Sequence, residues 1–216
     1  MKLRDGLMLA ALLMLVGCAP ERVPYETLVP FVEDAQTNAQ VDDAAIGSLS
    51  FVDPAGQPVD LAQYRGKKNV VLVVTRGPLG TVPPAERGTM LYKDLCLYCT
   101  TQTSGLLNSY PQFQERDAEV IVVFPVLKSA DGAELATFRE AIPPLPTDQP
   151  TLALVLDVEL KAVEKLGIRD NLSKPATYIL NKAGQTRFAY VGRTIADRPS
   201  VQAILNQLDA INGAGK

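Results

Sequence analysis

Three cysteines, no histidine and no tryptophan occur among 216 residues, so the chemistry open to this chain is narrow. Two of the cysteines form the run Cys96-Leu97-Tyr98-Cys99. Cysteines three residues apart on a helix share one face. If the first opens the helix, its thiolate is stabilised by unpaired backbone N–H groups and the macrodipole. The second is then close enough to attack a mixed disulfide and leave an intramolecular one. This predicts a thiol that attacks, Cys96, with the lower pKa and the greater exposure, and a thiol that resolves, Cys99. A structural disulfide is the plainer alternative for the same pair. Without histidine there is no Ser-His-Asp triad. Three thiols, one of them spoken for below, fall short of a structural zinc site, so neither metal nor organic cofactor is expected. A net charge of −3 and no Lys/Arg-rich run argue against a nucleic-acid partner.

Positioning such a pair requires a sheet with helices beside it. Leu49–Val52 and Val59–Leu61 flank a turn-rich Asp53–Gln57 and predict an N-terminal hairpin; Val70–Val74 reads as a buried strand. A helix over Cys96–Ser109 and a second buried strand over Glu119–Phe124 give β-α-β order and parallel pairing. A helix over Ala133–Ala141, a Pro143–Pro146 loop, a strand over Leu152–Leu156 and a helix over Val158–Leu166 follow. Thr177–Leu180 and Arg187–Val191 predict an antiparallel hairpin, and a last helix starts after Asp197-Arg198-Pro199. The expected architecture is α/β, a mixed central sheet with helices on both faces.

The start of the chain reads as an address. Lys2 and Arg4 precede an apolar run, Leu7–Val16, too short to span a bilayer and right for a secretory signal. It ends in Leu15-Val16-Gly17-Cys18, which resembles the bacterial lipobox, where cleavage precedes a cysteine that becomes lipid-modified. That resemblance implies a signal peptide over 1–17, lipidation at Cys18 and a place in the cell envelope, facing the periplasm or the exterior. It also resolves the odd cysteine count. Cleavage would shift the net charge to −4, through loss of Lys2, Arg4 and Asp5. Residues 18–46, polar and proline-bearing, read as a tether with room for a short helix, ahead of one domain over 47–212.

From Gly47 to Leu208 the sequence resembles the thioredoxin-like redoxin superfamily, in its alkyl-hydroperoxide-reductase/thiol-specific-antioxidant and TlpA/ResA-like branch. The likeness rests on the order of Gly56–Leu61 with Tyr64–Lys67, the Cys96–Cys99 pair opening a helix, Val155-Leu156-Asp157, Lys174–Leu180 and the Asn181–Gln185 turn. It implies a thioredoxin-like fold and an oxidoreductase acting on protein thiols and disulfides. It also implies a cis Lys174–Pro175 bond beside the pair, where Pro175 shapes a substrate groove; Lys174 and Tyr98 are further candidates for that surface, with ordinary packing the plainer reading for Tyr98. Three departures accompany it. Pro78–Leu95 is longer than the corresponding thioredoxin loop. Leu-Tyr between the cysteines supplies neither Pro nor His. The peroxiredoxin Pro and Thr, seven and three residues before the attacking thiol, are replaced before Cys96 by Thr89 and Lys93. Slow peroxide turnover is therefore expected. The alternatives are a hydroperoxide reductase on the same thiol and a non-catalytic binding lipoprotein of the same fold. Arg76, Arg193 and Arg198 read as surface charges, and the oligomeric state is not written in the sequence.

Overall fold

The β-branched run Asn69–Val74 is buried at every position, which requires cover on both of its faces. In the computed structural model, which describes residues 29–78, 91–92, 95–128, 132–142 and 151–213, that strand lies at the centre of a seven-stranded mixed sheet. The signal segment, Cys18 and the Pro143–Pro146 loop lie outside the described residues. In chain order the strands are β1 (Ser50–Val52), β2 (Pro58–Asp60), β3 (Asn69–Val74), β4 (Leu91–Tyr92), β5 (Leu95–Cys96), β6 (Ala118–Val126), β7 (Ala153–Val158), β8 (Ala176–Leu180) and β9 (Thr186–Val191). The helices are α1 (Asp43–Gly47), α2 (Leu97–Asn108), α3 (Tyr110–Gln114), α4 (Gly132–Glu140), α5 (Lys161–Lys165) and α6 (Val201–Gly213).

The large sheet runs β2-β1-β7-β6-β3-β8-β9, and β4 pairs with β5 in a separate ribbon. β3, β6 and β7 are parallel, whereas β8 returns antiparallel to β3 and forms a hairpin with β9. Alternation along β3 divides the core. Val71 and Val73 face a cluster with Leu106, Phe113, Phe138 and Ile204 from the helices α2, α3, α4 and α6. Val70, Leu72 and Val74 face Ile46, Phe51, Val163 and Tyr178. Burying each such aliphatic or aromatic side chain contributes roughly 1.5–3 kcal/mol, so the two layers hold the sheet from both sides. This is the thioredoxin-like arrangement expected from the sequence.

Two local expectations are corrected. The helix expected over Val158–Leu166 is only α5, because Glu159 and Leu160 take left-handed backbone, at φ 61° and 58°. The buried Asp157 carboxylate then accepts the Ala162 and Val163 N–H groups at 2.8 and 3.0 Å, capping the shortened helix. The second concerns the tether, expected to run to residue 46: its described part, from Val29, is bonded to the domain. From Val29 the chain is a strap: Val32 bridges in parallel to Pro199, and the Asn38 side chain pairs with both backbone groups of Val191.

Candidate active site

Cys96 ends β5 and is the N-cap of α2, with extended backbone (φ −73°, ψ 114°) and no side-chain capping bond. Cys99 lies within the first turn. Both are free thiols, 3% and 1% exposed, so neither has the advantage of access that the sequence suggested for Cys96. The stabilising contacts are also distributed unequally, and they fall on Cys99. Its sulfur accepts Arg198 Nη2 at 3.1 Å and the Arg76 backbone N–H at 3.5 Å.

Arg198 is not a surface charge: it is 1% exposed. Its Nη1 donates to Gln102 Oε1 at 2.9 Å and its Nε to the Ile195 carbonyl at 2.8 Å. Gln102 in turn donates from Nε2 to the Pro199 carbonyl at 3.3 Å. Among the described residues no carboxylate forms an ion pair with Arg198, so the group positioned to balance this buried cation is the Cys99 sulfur.

Burial alone would push the Cys99 thiol up. The hydrogen bond from Cys96, the Arg198 charge and the Arg76 N–H outweigh burial and bring it down to about 6. Cys96 is held well above the ordinary thiol value, first by the hydrogen bond it makes to Cys99 and then by burial. The expected acidity order is therefore reversed. As the N-cap, Cys96 gains little from the helix end: the Cys99 N–H lowers its pKa, but the hydrogen bond to the Cys99 sulfur and burial outweigh it.

Two elements aim the donors. After β3 the chain turns through Thr75-Arg76-Gly77, where Thr75 Oγ1 donates to the Val123 carbonyl and accepts the Gly77 N–H. Gly77 has φ 77°, and a Cβ there would lie 2.3 Å from the Pro125 oxygen, so only glycine allows the turn. The Arg76 side chain reaches Asp170 at 3.7 Å. After β9, Asp197 accepts the Tyr190 hydroxyl and the Arg193 N–H, which folds the loop back and directs Arg198 inward.

The remaining predicted residues are less engaged. Tyr98 is half-buried and packs against the α2-side core; Lys174 is exposed. Continuing the Val74–Ala176 register places Pro175 across from Thr75, next to the turn that serves Cys99. The cis bond is corrected, however: no cis peptide occurs among the described residues. The Lys174 N–H is fixed on the Ile168 carbonyl, and the Pro175 carbonyl accepts the Gly192 N–H. Sequence reasoning missed Gln102 and left Arg198 on the surface. The available signal was offset, since Gln102 follows Cys99 by three residues and shares its helix face. Among the described residues no group of three His, Cys, Asp or Glu could hold a metal ion.

Residues 89–189 match the model of the AhpC/TSA family, a stretch that contains both cysteines and ends before Arg198. No curated protein matches the sequence. Among solved structures the chain is similar to the reduced 2-Cys peroxiredoxin of Plasmodium vivax (21% identity, 77% of this chain and 78% of that one, TM-score 0.55). It is also similar to the bacterioferritin comigratory protein of Xanthomonas campestris, described for alkyl peroxide reduction (16%, 82% and 99%, TM-score 0.53). A third is a secreted Mycobacterium tuberculosis disulfide oxidoreductase homologous to E. coli DsbE (12%, 78% and 99%, TM-score 0.51). At these identities the likeness establishes the fold.

Proposed function

From a chain that carries an AhpC/TSA-family redoxin domain across residues 89–189, we propose a membrane-tethered, extracytoplasmic thiol–disulfide oxidoreductase working through Cys96 and Cys99. The observation that supports it best is the buried Arg198 guanidinium on the Cys99 sulfur, a contact that an inert structural disulfide does not need. In the reduced pair Cys99 carries the charge and Cys96 the proton.

Cys99 attacks one sulfur of a substrate disulfide, forming a mixed disulfide and expelling the other sulfur as a thiolate, which takes up a proton. Cys96 then gives up its proton and attacks the Cys99 sulfur, expelling the second substrate thiolate. The substrate gains two electrons and the pair becomes a disulfide, which a dithiol of a partner protein reduces in turn, itself becoming a disulfide. Tyr98 and the exposed Lys174 are the side chains we assign to the partner-facing rim.

Cys96→Ser should therefore accumulate mixed disulfides on Cys99, visible on non-reducing gels, and Cys99→Ser should trap about tenfold less because the remaining thiol is mostly protonated at neutral pH. Equal trapping by both variants would refute the order of attack. If neither variant traps a partner and wild type leaves a disulfide substrate untouched, a non-catalytic binding role replaces the enzyme.

Peroxide reduction is the second reading, favoured by the same Arg198 donor. Cys99 would attack the peroxide oxygen, releasing water or an alcohol and forming a sulfenic acid, on which Cys96 condenses with loss of water. Residues three and seven before Cys99 are Cys96 and Tyr92 in place of Thr and Pro, so an additional peroxide-orienting hydroxyl is missing and turnover should be slow. Rapid Cys99-dependent consumption of hydrogen peroxide at micromolar substrate would reverse this ranking.

The envelope location rests on the Leu15–Cys18 lipobox likeness. Mass spectrometry of the membrane fraction should find Cys18 as the acylated first residue; an unmodified terminus would remove the anchor.

A further inference from the structure

The strap that leads into the domain is bonded to the backbone on both sides of Pro199. The Val32 N–H donates to the Arg198 carbonyl at 2.8 Å, and the Ser200 N–H donates to the Val32 carbonyl at 2.9 Å. Ser200 Oγ donates to Glu33 Oε2 at 2.8 Å and also accepts the Ala203 N–H at the start of α6. Farther along, Gln207 Nε2 holds the Ala35 carbonyl, while the Asn38 side chain pairs with Val191 and its N–H donates to the Ala189 carbonyl. Val32 thus holds the backbone of Arg198, whose guanidinium reaches Cys99, and Glu33 holds Ser200, two residues on.

We propose that Val32 and Glu33 are positioning residues for Arg198, so that the ionisation of the cysteine pair depends on the strap being seated. This rests on the reading of Cys99 as the charged thiol. The physical basis is geometric. The Arg198 side chain spends Nε on Ile195, Nη1 on Gln102 and Nη2 on Cys99, a fork that tolerates little movement of its own backbone. Freeing the Arg198 carbonyl and the Ser200 N–H removes the restraints on that backbone and loosens the contact at the far end of the fork. The charged and titratable groups facing this region are few. Cys96 faces Cys99 from the start of α2, Arg76 presents its backbone N–H while its side chain reaches Asp170, and Asp197 is occupied by Tyr190 and Arg193. Glu33 is bonded to Ser200.

The test is a titration of thiolate absorbance near 240 nm in the reduced full chain, with iodoacetamide alkylation rate as a second readout. Val32→Pro, which deletes the donor to Arg198, should raise the first midpoint of the pair by about one pH unit and slow alkylation at pH 6.5 about threefold. Glu33→Ala should move it in the same direction by less. Asn38→Ala, which loosens the same strap away from Arg198, should lower the melting temperature and leave the midpoint in place. If Val32→Pro does not fold, Glu33→Ala decides: an unchanged midpoint overturns the proposal. So does a midpoint moved by Asn38→Ala as far as by the clamp variants, since the strap would then act only through general stability. A wild-type midpoint at the ordinary thiol value would instead refute the Cys99 reading on which the proposal rests.

Discussion

At the scale of single residues, Arg198 is the group on which the site depends. It is a buried cation whose three hydrogen-bonding arms go to a carbonyl, an amide and a sulfur. Arg198→Met should raise the first thiol midpoint from about 6, because burial would then be opposed only by the Cys96 hydrogen bond and the Arg76 N–H. Alkylation at pH 7 should slow by roughly tenfold or more; an unchanged rate would show that the cation does not set reactivity. The same pair should govern stability against pH in a chain that has no histidine to titrate in that range. Cys99 is more acidic folded than unfolded, so between about 6 and about 8.5 the unfolded chain binds more protons and stability rises with pH. That contribution disappears as pH falls through 6. Cys96 has the opposite sign: folded, it retains a proton that the unfolded chain loses above about 8.5, so stability declines there. The melting temperature of the reduced protein should therefore peak near pH 8 to 9 and lose its acidic limb in Cys99→Ser.

At the scale of elements, the turns that carry donors are as constrained as the strands. Gly77→Ala would force left-handed backbone on alanine and drive its Cβ into the Pro125 oxygen, whereas Gly56, at φ 82°, has nothing within 4 Å of the same added atom. Gly56→Ala should cost about 1–2 kcal/mol, and Gly77→Ala about 2–4 kcal/mol together with loss of the Arg76 contact to Cys99. Denaturant midpoints of the two variants measure the difference, and equal losses would mean that the close approach at Gly77 relaxes away. The elements themselves were largely legible, because their signals are local. The apolar run in Val70–Val74, the Asn181–Gln185 turn and the helix start after Pro199 each appear where pattern predicted. What eluded the sequence depends on contacts far along the chain. Arg198 meets Cys99 across 99 positions, and the strap meets Pro199 and Ser200 across a longer span still. The shortened α5 was hidden for a different reason, since nothing in Glu159-Leu160 announces left-handed backbone. The bond expected to be cis at Pro175 is trans, an outcome that the Lys174-Pro175 dipeptide does not announce, since either isomer is open to it.

At the scale of the whole molecule, the buried Arg198 guanidinium has no carboxylate partner among the described residues, and the Cys99 sulfur is placed to balance it. Forming the Cys96–Cys99 disulfide removes that negative charge and leaves the guanidinium buried with only neutral acceptors, a state the interior disfavours. Folding energy therefore favours the dithiol over the disulfide. A protein whose reduced form is the more comfortable one holds its electrons more tightly: its reduction potential moves in the oxidising direction by about 30 mV for each 1.4 kcal/mol of that preference, so the disulfides it reduces must be more oxidising still. Arg198, which makes the thiol reactive, would also narrow the range of disulfides the pair can reduce.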